Sequence, residues 1–358
     1  MRSPALRHVL THLITPLLMC LGMGLAYMGA FVHPEPNHLP VAVVGAGPKA
    51  KVFAQTIKDT AGDKLDVRTV PTRTEAVDLL KARTVTGAYV PSTRTPELLV
   101  ASAASDMGAT AVEKVFTPVA AEEGLPLKVT DVAEPVADDP TGQGLFFLLI
   151  AVSIGSYASV AALGAAGGTL PMRIRALLAL GVSAVVGSIG ALLAGPVFHL
   201  AQHDLAGIWG MAWLYSAGIL LIGVGLHTFL KRWTTLTMMV LFVMLNFTSS
   251  GGLFRPELQN GFFGTLHAFW NGAGFVEGAR SLLYFGSDGL SRNVWTLVVW
   301  LLAGLAVTAI AAAYERTKAA QAQAPAPVSA PAASVAVPES PAELGEEAEE
   351  ETQETVGV

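Results

Sequence analysis

Long apolar runs decide most of what this chain can fold into. Val9–Phe31, Gly144–Leu163, Ile174–Phe198, Ile208–Leu230 and Val294–Tyr314 carry no Asp, Glu, Lys or Arg in their central parts. Each matches the roughly 20 apolar residues that a helix needs to cross a bilayer. A shorter run, Thr234–Phe247, brings the expectation to about six spans. Only 14% of the residues are charged, against roughly 25% in an ordinary soluble domain. The fold class expected is therefore a polytopic α-helical membrane protein.

The first run follows Arg2 and Arg7. Its apolar core exceeds the roughly 7–15 residues of a cleaved signal, so it reads as an uncleaved anchor over residues 1–32. Arg2/Arg7, Arg173/Arg175, Lys231/Arg232 and Arg316/Lys318 all fall on one side if the N-terminus is cytoplasmic. By the positive-inside rule both termini are cytoplasmic, in the cell membrane, and the segment 33–142 is extracytoplasmic.

That segment holds 11 basic and 15 acidic residues, and it reads as alternating strands and helices. Strands are expected at 41–45, 65–70, 86–90, 97–103 and 125–132, with helices at 49–60, 72–82 and 109–123. Thr72 or Thr74 is the expected cap of the second helix. The pattern predicts a small α/β layer with a largely parallel sheet. "GAGPKA" (45–50) follows a strand, but Pro48 and Ala50 break a dinucleotide fingerprint, so a glycine turn into a helix explains it. His33, Glu35 and His38 sit in a proline-broken linker and predict no metal site. The lone Cys20 excludes an intrachain disulfide and any paired-thiolate metal centre. No nucleophile elbow, zinc-protease motif or Walker loop occurs, so neither an enzyme nor a cofactor is expected. Neither polar segment is basic, which argues against nucleic acid.

Within the apolar runs, Ser183, Gly187, Ala191 and Gly195 recur every four residues. A stripe of small side chains lets a second helix approach closely, inside the chain or between two copies. The spans carry His12 and His227 but lack the acidic or basic residues on which proton relays depend. The segment 316–358 is Ala-, Pro- and Gln-rich, with eight glutamates between Glu339 and Glu354. It is expected to be a disordered acidic cytoplasmic tail.

One stretch fits none of these classes. "MLNFTSSGGLFRPEL" (244–258) breaks an apolar run, and the following residues to 286 are apolar yet cut by glycines and Pro256. Irregular backbone at membrane depth is tolerated only where protein or a water-filled cavity satisfies it. A re-entrant pair of half-helices over about 248–286, within a five-span membrane domain at 143–315, is the expected arrangement.

Here Ser250-Gly251-Gly252, Pro256-Glu257, the pair Phe262-Phe263, and Glu277 with Arg280 resemble the exit-side hairpin of type-2 ABC exporter permeases. One span, an external domain and five further spans narrow the likeness to the phage-infection-protein (Pip/YhgE) branch, particularly its actinobacterial members. Their opening "HxPxPHxxPVAVVG" is similar to His33-Pro34-Glu35-Pro36-Asn37-His38 followed by Pro40 to Gly45. The resemblance covers about residues 5–315. It implies an exporter permease working as a homodimer with a separate ATP-binding subunit, its hairpin gate shaped by Ser250, Gly251, Gly252, Pro256, Glu257, Glu277 and Arg280. Arg173 and Arg175 would offer the cytoplasmic coupling contact. The sequence departs from that pattern in its short segment ahead of the first run and in the short, proline-interrupted loop Gly167–Arg173. The alternative function is a non-transporting envelope scaffold, secretion-system component or surface receptor acting through its external domain.

Overall fold

The computed structural model describes residues 4–323. Five helical segments are long and apolar enough to cross a membrane: Leu13–Phe31, Gly144–Ala166, Met172–Val197, Leu205–Ser249 and Leu290–Ala322. Helices α1 (Pro4–Phe31), α5 (Gly144–Ala166), α6 (Met172–Leu192), α7 (Leu205–Leu230) and α12 (Leu290–Gln323) account for most of them. Straight, the fourth segment would measure about 68 Å, more than twice a hydrocarbon core. Lys231 breaks it, with φ +51°. The chain then returns through α8 (Thr234–Met239), a π-helical turn at Val240–Met244, and α9 (Leu245–Ser249). Contacts ladder away from this break: His227 with Thr234, and Tyr215 with Asn246. Segment 205–249 is thus an antiparallel helical hairpin.

Helix α7 is the hub. It is buried along most of its length because α5, α6, α8, α11 (Asn271–Tyr284) and α12 surround it. The small-residue stripe on α6 faces this hub. A Cβ at Gly187 would sit 3.2 Å from the Trp213 amide nitrogen and 3.3 Å from the Trp209 carbonyl. Ser183 is fully buried, Gly195 lies against Leu205, and Ala191 is half-buried. The choice left open by sequence resolves to a seam inside one chain. Buried hydroxyls also join helices: Ser153 Oγ to Tyr215 Oη at 2.5 Å, Asn246 Nδ2 to Tyr215 Oη at 2.6 Å, and Ser156 Oγ to Ser216 Oγ at 2.8 Å. On the outside, α1 leaves Leu13, Leu17, Leu21 and Leu25 exposed, a face suited to lipid.

Residues between α1 and α5 form a five-stranded sheet in the order β2-β1-β3-β4-β5. The strands are β1 (Leu39–Val44), β2 (Leu65–Val70), β3 (Gly87–Val90), β4 (Glu97–Val100) and β5 (Lys128–Asp131). Every pairing is parallel except β3–β4, whose connection is too short for a crossover. Helices α2 (Pro48–Ala61) and α4 (Asp106–Glu122) cover one face, and α3 (Arg73–Lys81) covers the other. Thr72 caps α3, its hydroxyl accepting from the Glu75 amide. Alternation along β1 divides the core: Val41 and Val43 face α2 and α4, while Ala42 faces α3. Gly45 ends β1 with φ +152°, and a Cβ there would meet that of Ala50 at 2.5 Å, which accounts for the glycine in "GAGPKA" without a nucleotide.

Two expectations need correction. Helix α12 continues to Gln323, so the tail expected from residue 316 begins helical: its Ala, Gln, Lys and Arg are good helix formers. The glutamate-rich part lies outside the described residues. The Ser-Gly-Gly break also does not start an inward dip. The chain first runs against the sheet domain, and Phe254 and Leu258 join the core formed by β1, β4, α2 and α4.

Candidate functional site

The dip begins at α10 (Gly261–His267), capped by the Asn260 side chain, and returns as α11 (Asn271–Tyr284). Trp270 Nε1 donates to the Leu241 carbonyl at 3.1 Å, and Trp300 Nε1 donates to the Phe269 carbonyl at 2.8 Å. Those anchors place the tip roughly 12–15 Å in from Ser249 and Leu290, at 1.5 Å rise per residue.

Above this tip the hairpin residues converge. Helix α9 ends at Ser249, and Gly251 turns with φ +72°, where a Cβ would stand 2.6 Å from the His267 ring. The Ser250 hydroxyl donates to the Phe247 carbonyl and accepts from the Gly252 amide, so it caps its own break. The guanidinium of Arg280 fills the gap. Nη1 donates to the Gly251 carbonyl at 2.9 Å and Nη2 to the Gly252 carbonyl at 3.2 Å. Arg280 Nη1 also meets Glu277 Oε1 at 2.5 Å, the i,i+3 pair that the spacing permits. Pro256 opens a single 3₁₀ turn, and Glu257 beside it pairs with Arg255 at 3.2 Å.

A third member comes from the sheet domain. Arg83 Nη1 meets Glu277 Oε2 at 2.9 Å, while Nη2 donates to Ser281 Oγ at 2.7 Å and to the Asp288 carbonyl at 2.9 Å. Its guanidinium also lies 5.1 Å from the centre of the Phe285 ring. Phe285 packs into the α3 face of the sheet, as Phe254 and Leu258 pack into the other. The two ends of the hairpin region therefore straddle the sheet, and Arg83 pins them from between. The Asn37 amide adds a bond to the Glu257 carbonyl at 2.8 Å.

Burial on its own would raise the Glu277 carboxyl. Arg280, His267, Arg83 and Arg255 outweigh it and hold the group below the usual carboxylate range, so it stays ionised. Burial pushes His267 down. Its Nδ1 lies 3.0 Å from the Ser249 carbonyl, which accepts only, so Nδ1 carries the proton. Beside this network lies a cavity of about 370 Å³, lined by Arg83, Arg255, Glu257, His267, Glu277 and Arg292 among others. Three guanidiniums and two carboxylates line it. The arrangement can hold two structural blocks together through charge, and it contains no nucleophile–base pair.

The structure thus gathers Ser250, Gly251, Gly252, Glu257, Glu277 and Arg280 at one place, with Pro256 on the cavity wall. It turns Arg175 inward instead: buried, bonded to both oxygens of Glu315 and to the Leu170 carbonyl, while Arg173 stays exposed. Arg83, Arg255 and His267 were not singled out by sequence reasoning. Only the backbone marks Arg83 out. It occupies the left-handed position after α3 with φ +56°, its amide bonding to Leu80 and the Thr84 amide to Leu79. That is a Schellman ending, where glycine is usual. Among the described residues, no group of His, Cys, Asp or Glu is placed to hold a metal ion, His33, Glu35 and His38 included.

No protein-family model, curated protein or solved structure matches this chain.

Proposed function

We propose that this chain is the membrane subunit of a type-2-like exporter, a permease that moves an amphipathic substrate outward and relies on a separate ATP-binding subunit. In this reading it crosses the cell membrane six times, the helical hairpin 205–249 supplying two passes. Both termini are cytoplasmic and the sheet domain is extracytoplasmic. The observation that carries it is the convergence of the Ser-Gly-Gly break, the Pro-Glu turn and the Glu277–Arg280 pair around one re-entrant tip. The Arg83 contact adds a coupling element: a movement of the hairpin must move the sheet domain or break the ion pair.

The test is to crosslink the protein in its native membranes, purify it gently and identify its companions. A stoichiometric ATP-binding subunit supports the proposal, and Gly251→Leu should then abolish nucleotide-dependent export. A pure homo-oligomer, with export unaffected by Gly251→Leu, overturns it.

One observation favours a second reading, a non-transporting envelope protein. Arg175, the expected coupling contact, is committed to Glu315 within the chain. Deleting residues 41–132 does not separate the two readings, because it also strips Phe254 and Leu258 of their core. Substitutions confined to exposed residues of α2 and α4 do: a scaffold loses function and a permease keeps it.

A further inference from the structure

A second cavity, of about 300 Å³, opens between α5 and the α7–α8 break. Lys231, Arg232 and the exposed Thr235 line it together with the apolar Val160, Ala165 and Met238. Its charge differs in kind from that of the cavity under the sheet domain. No Asp or Glu lines it, and among the described residues neither Lys231 nor Arg232 has a carboxylate partner. Glu315 is already taken by Arg175 and by Thr228 Oγ1 at 2.9 Å. Two cations therefore face a partly apolar cavity with no anion to balance them.

The surroundings name the missing anion. Arg232 lies 5.3 Å over the Trp233 ring, and Trp233 is itself exposed. Trp in that position is the usual anchor at the level of lipid headgroups. The apolar wall continues onto α5, where Ala161 and Ala165 are exposed on the outer surface of the bundle. A ligand with a charged end at Lys231–Arg232 thus has an apolar path along the outside of α5. A free soluble anion would leave that path unused.

We infer that this cavity binds the phosphodiester of an anionic phospholipid, with Lys231 and Arg232 on the phosphate and an acyl chain lying along α5. The inference rests on the helices crossing a bilayer and does not depend on transport. By the positive-inside rule the lipid belongs to the cytoplasmic leaflet. Each cation near a membrane surface contributes enough that the two together are worth roughly thirtyfold in affinity.

The experiment is native mass spectrometry of the delipidated full chain in neutral detergent, titrated separately with phosphatidylglycerol and phosphatidylcholine. A third arm adds inorganic phosphate as competitor. Phosphatidylglycerol should bind at least tenfold more tightly than phosphatidylcholine. Lys231→Gln with Arg232→Gln should erase that preference, while the charge-keeping pair Lys231→Arg with Arg232→Lys should retain it. The charge-keeping pair and a thermal-unfolding comparison separate loss of the site from loss of the fold. Equal binding of the two lipids by the unaltered chain overturns the inference, as does a preference that survives the double Gln variant. Displacement of phosphatidylglycerol by millimolar phosphate would assign the site to a soluble anion and overturn the lipid assignment.

Discussion

Replacing Arg83 tests whether the sheet domain is clamped to the hairpin by charge. The side chain is 13% exposed and makes charge-assisted contacts with Glu277, Ser281 and the Asp288 carbonyl. Hydrogen bonds to charged groups contribute about 1.5–3 kcal/mol each and do not add fully when they share a donor group. Glu277 keeps Arg280 as a partner, so removing Arg83 does not strand a buried carboxylate. Arg83→Ala should therefore cost about 3 kcal/mol at this junction. Arg83→Gly should cost about 1 kcal/mol less, because glycine relaxes the left-handed backbone that an L-residue occupies at a penalty of about 1–2 kcal/mol. The assay is amide hydrogen exchange of the segment 250–260 and of α11, in nanodiscs. A loss of about 3 kcal/mol in opening free energy speeds exchange by roughly a hundredfold or more. Rates within threefold of the unaltered protein for Arg83→Ala would refute the clamp.

Three further outcomes follow from the same geometry. Arg280→Ala leaves the Gly251 and Gly252 carbonyls without their donor and Glu277 with one partner fewer; a loss of about 3–5 kcal/mol is expected, read as a lower denaturation midpoint, with Arg280→Lys recovering only part. Gly187→Val drives a side chain into the backbone of α7 and should cost about 1–3 kcal/mol, seen as lower thermal stability in detergent, whereas Val185→Ala on the exposed face should change little. Glu97 accepts hydrogen bonds from Arg73 and from Thr130; the Arg73 bond chiefly pulls its carboxyl from 4.5 down to about 2. That stabilisation is complete above pH 4.5 and is lost as the pH falls towards about 2. Because Arg73 is half-exposed, it amounts to about 1–2 kcal/mol. Glu97→Gln should flatten the acid limb of the sheet domain's unfolding curve between those values.

What the sequence determined by itself was everything carried by local periodicity and by the cost of charge in lipid. Apolar length placed helices over 144–163, 174–198 and 294–314, and the structure has them at Gly144–Ala166, Met172–Val197 and Leu290–Ala322. Alternation and a Thr cap placed the strands and α3, because a strand's two faces and a helix's first turn are settled by neighbours only a few residues apart. The Glu277–Arg280 pair was legible for the same reason. Tertiary structure alone decided the rest. The partners Arg83 and Glu277, the two faces of the sheet that take Phe254 and Phe285, and the inward turn of Arg175 all join residues distant in the chain, and no spacing rule reaches across such gaps. The break at Ser250–Gly252 showed where the helix stops, but not that the chain would run to the sheet domain before α10. That direction was set by where Phe254 and Leu258 could be buried, and the surface that buries them comes from the other end of the chain.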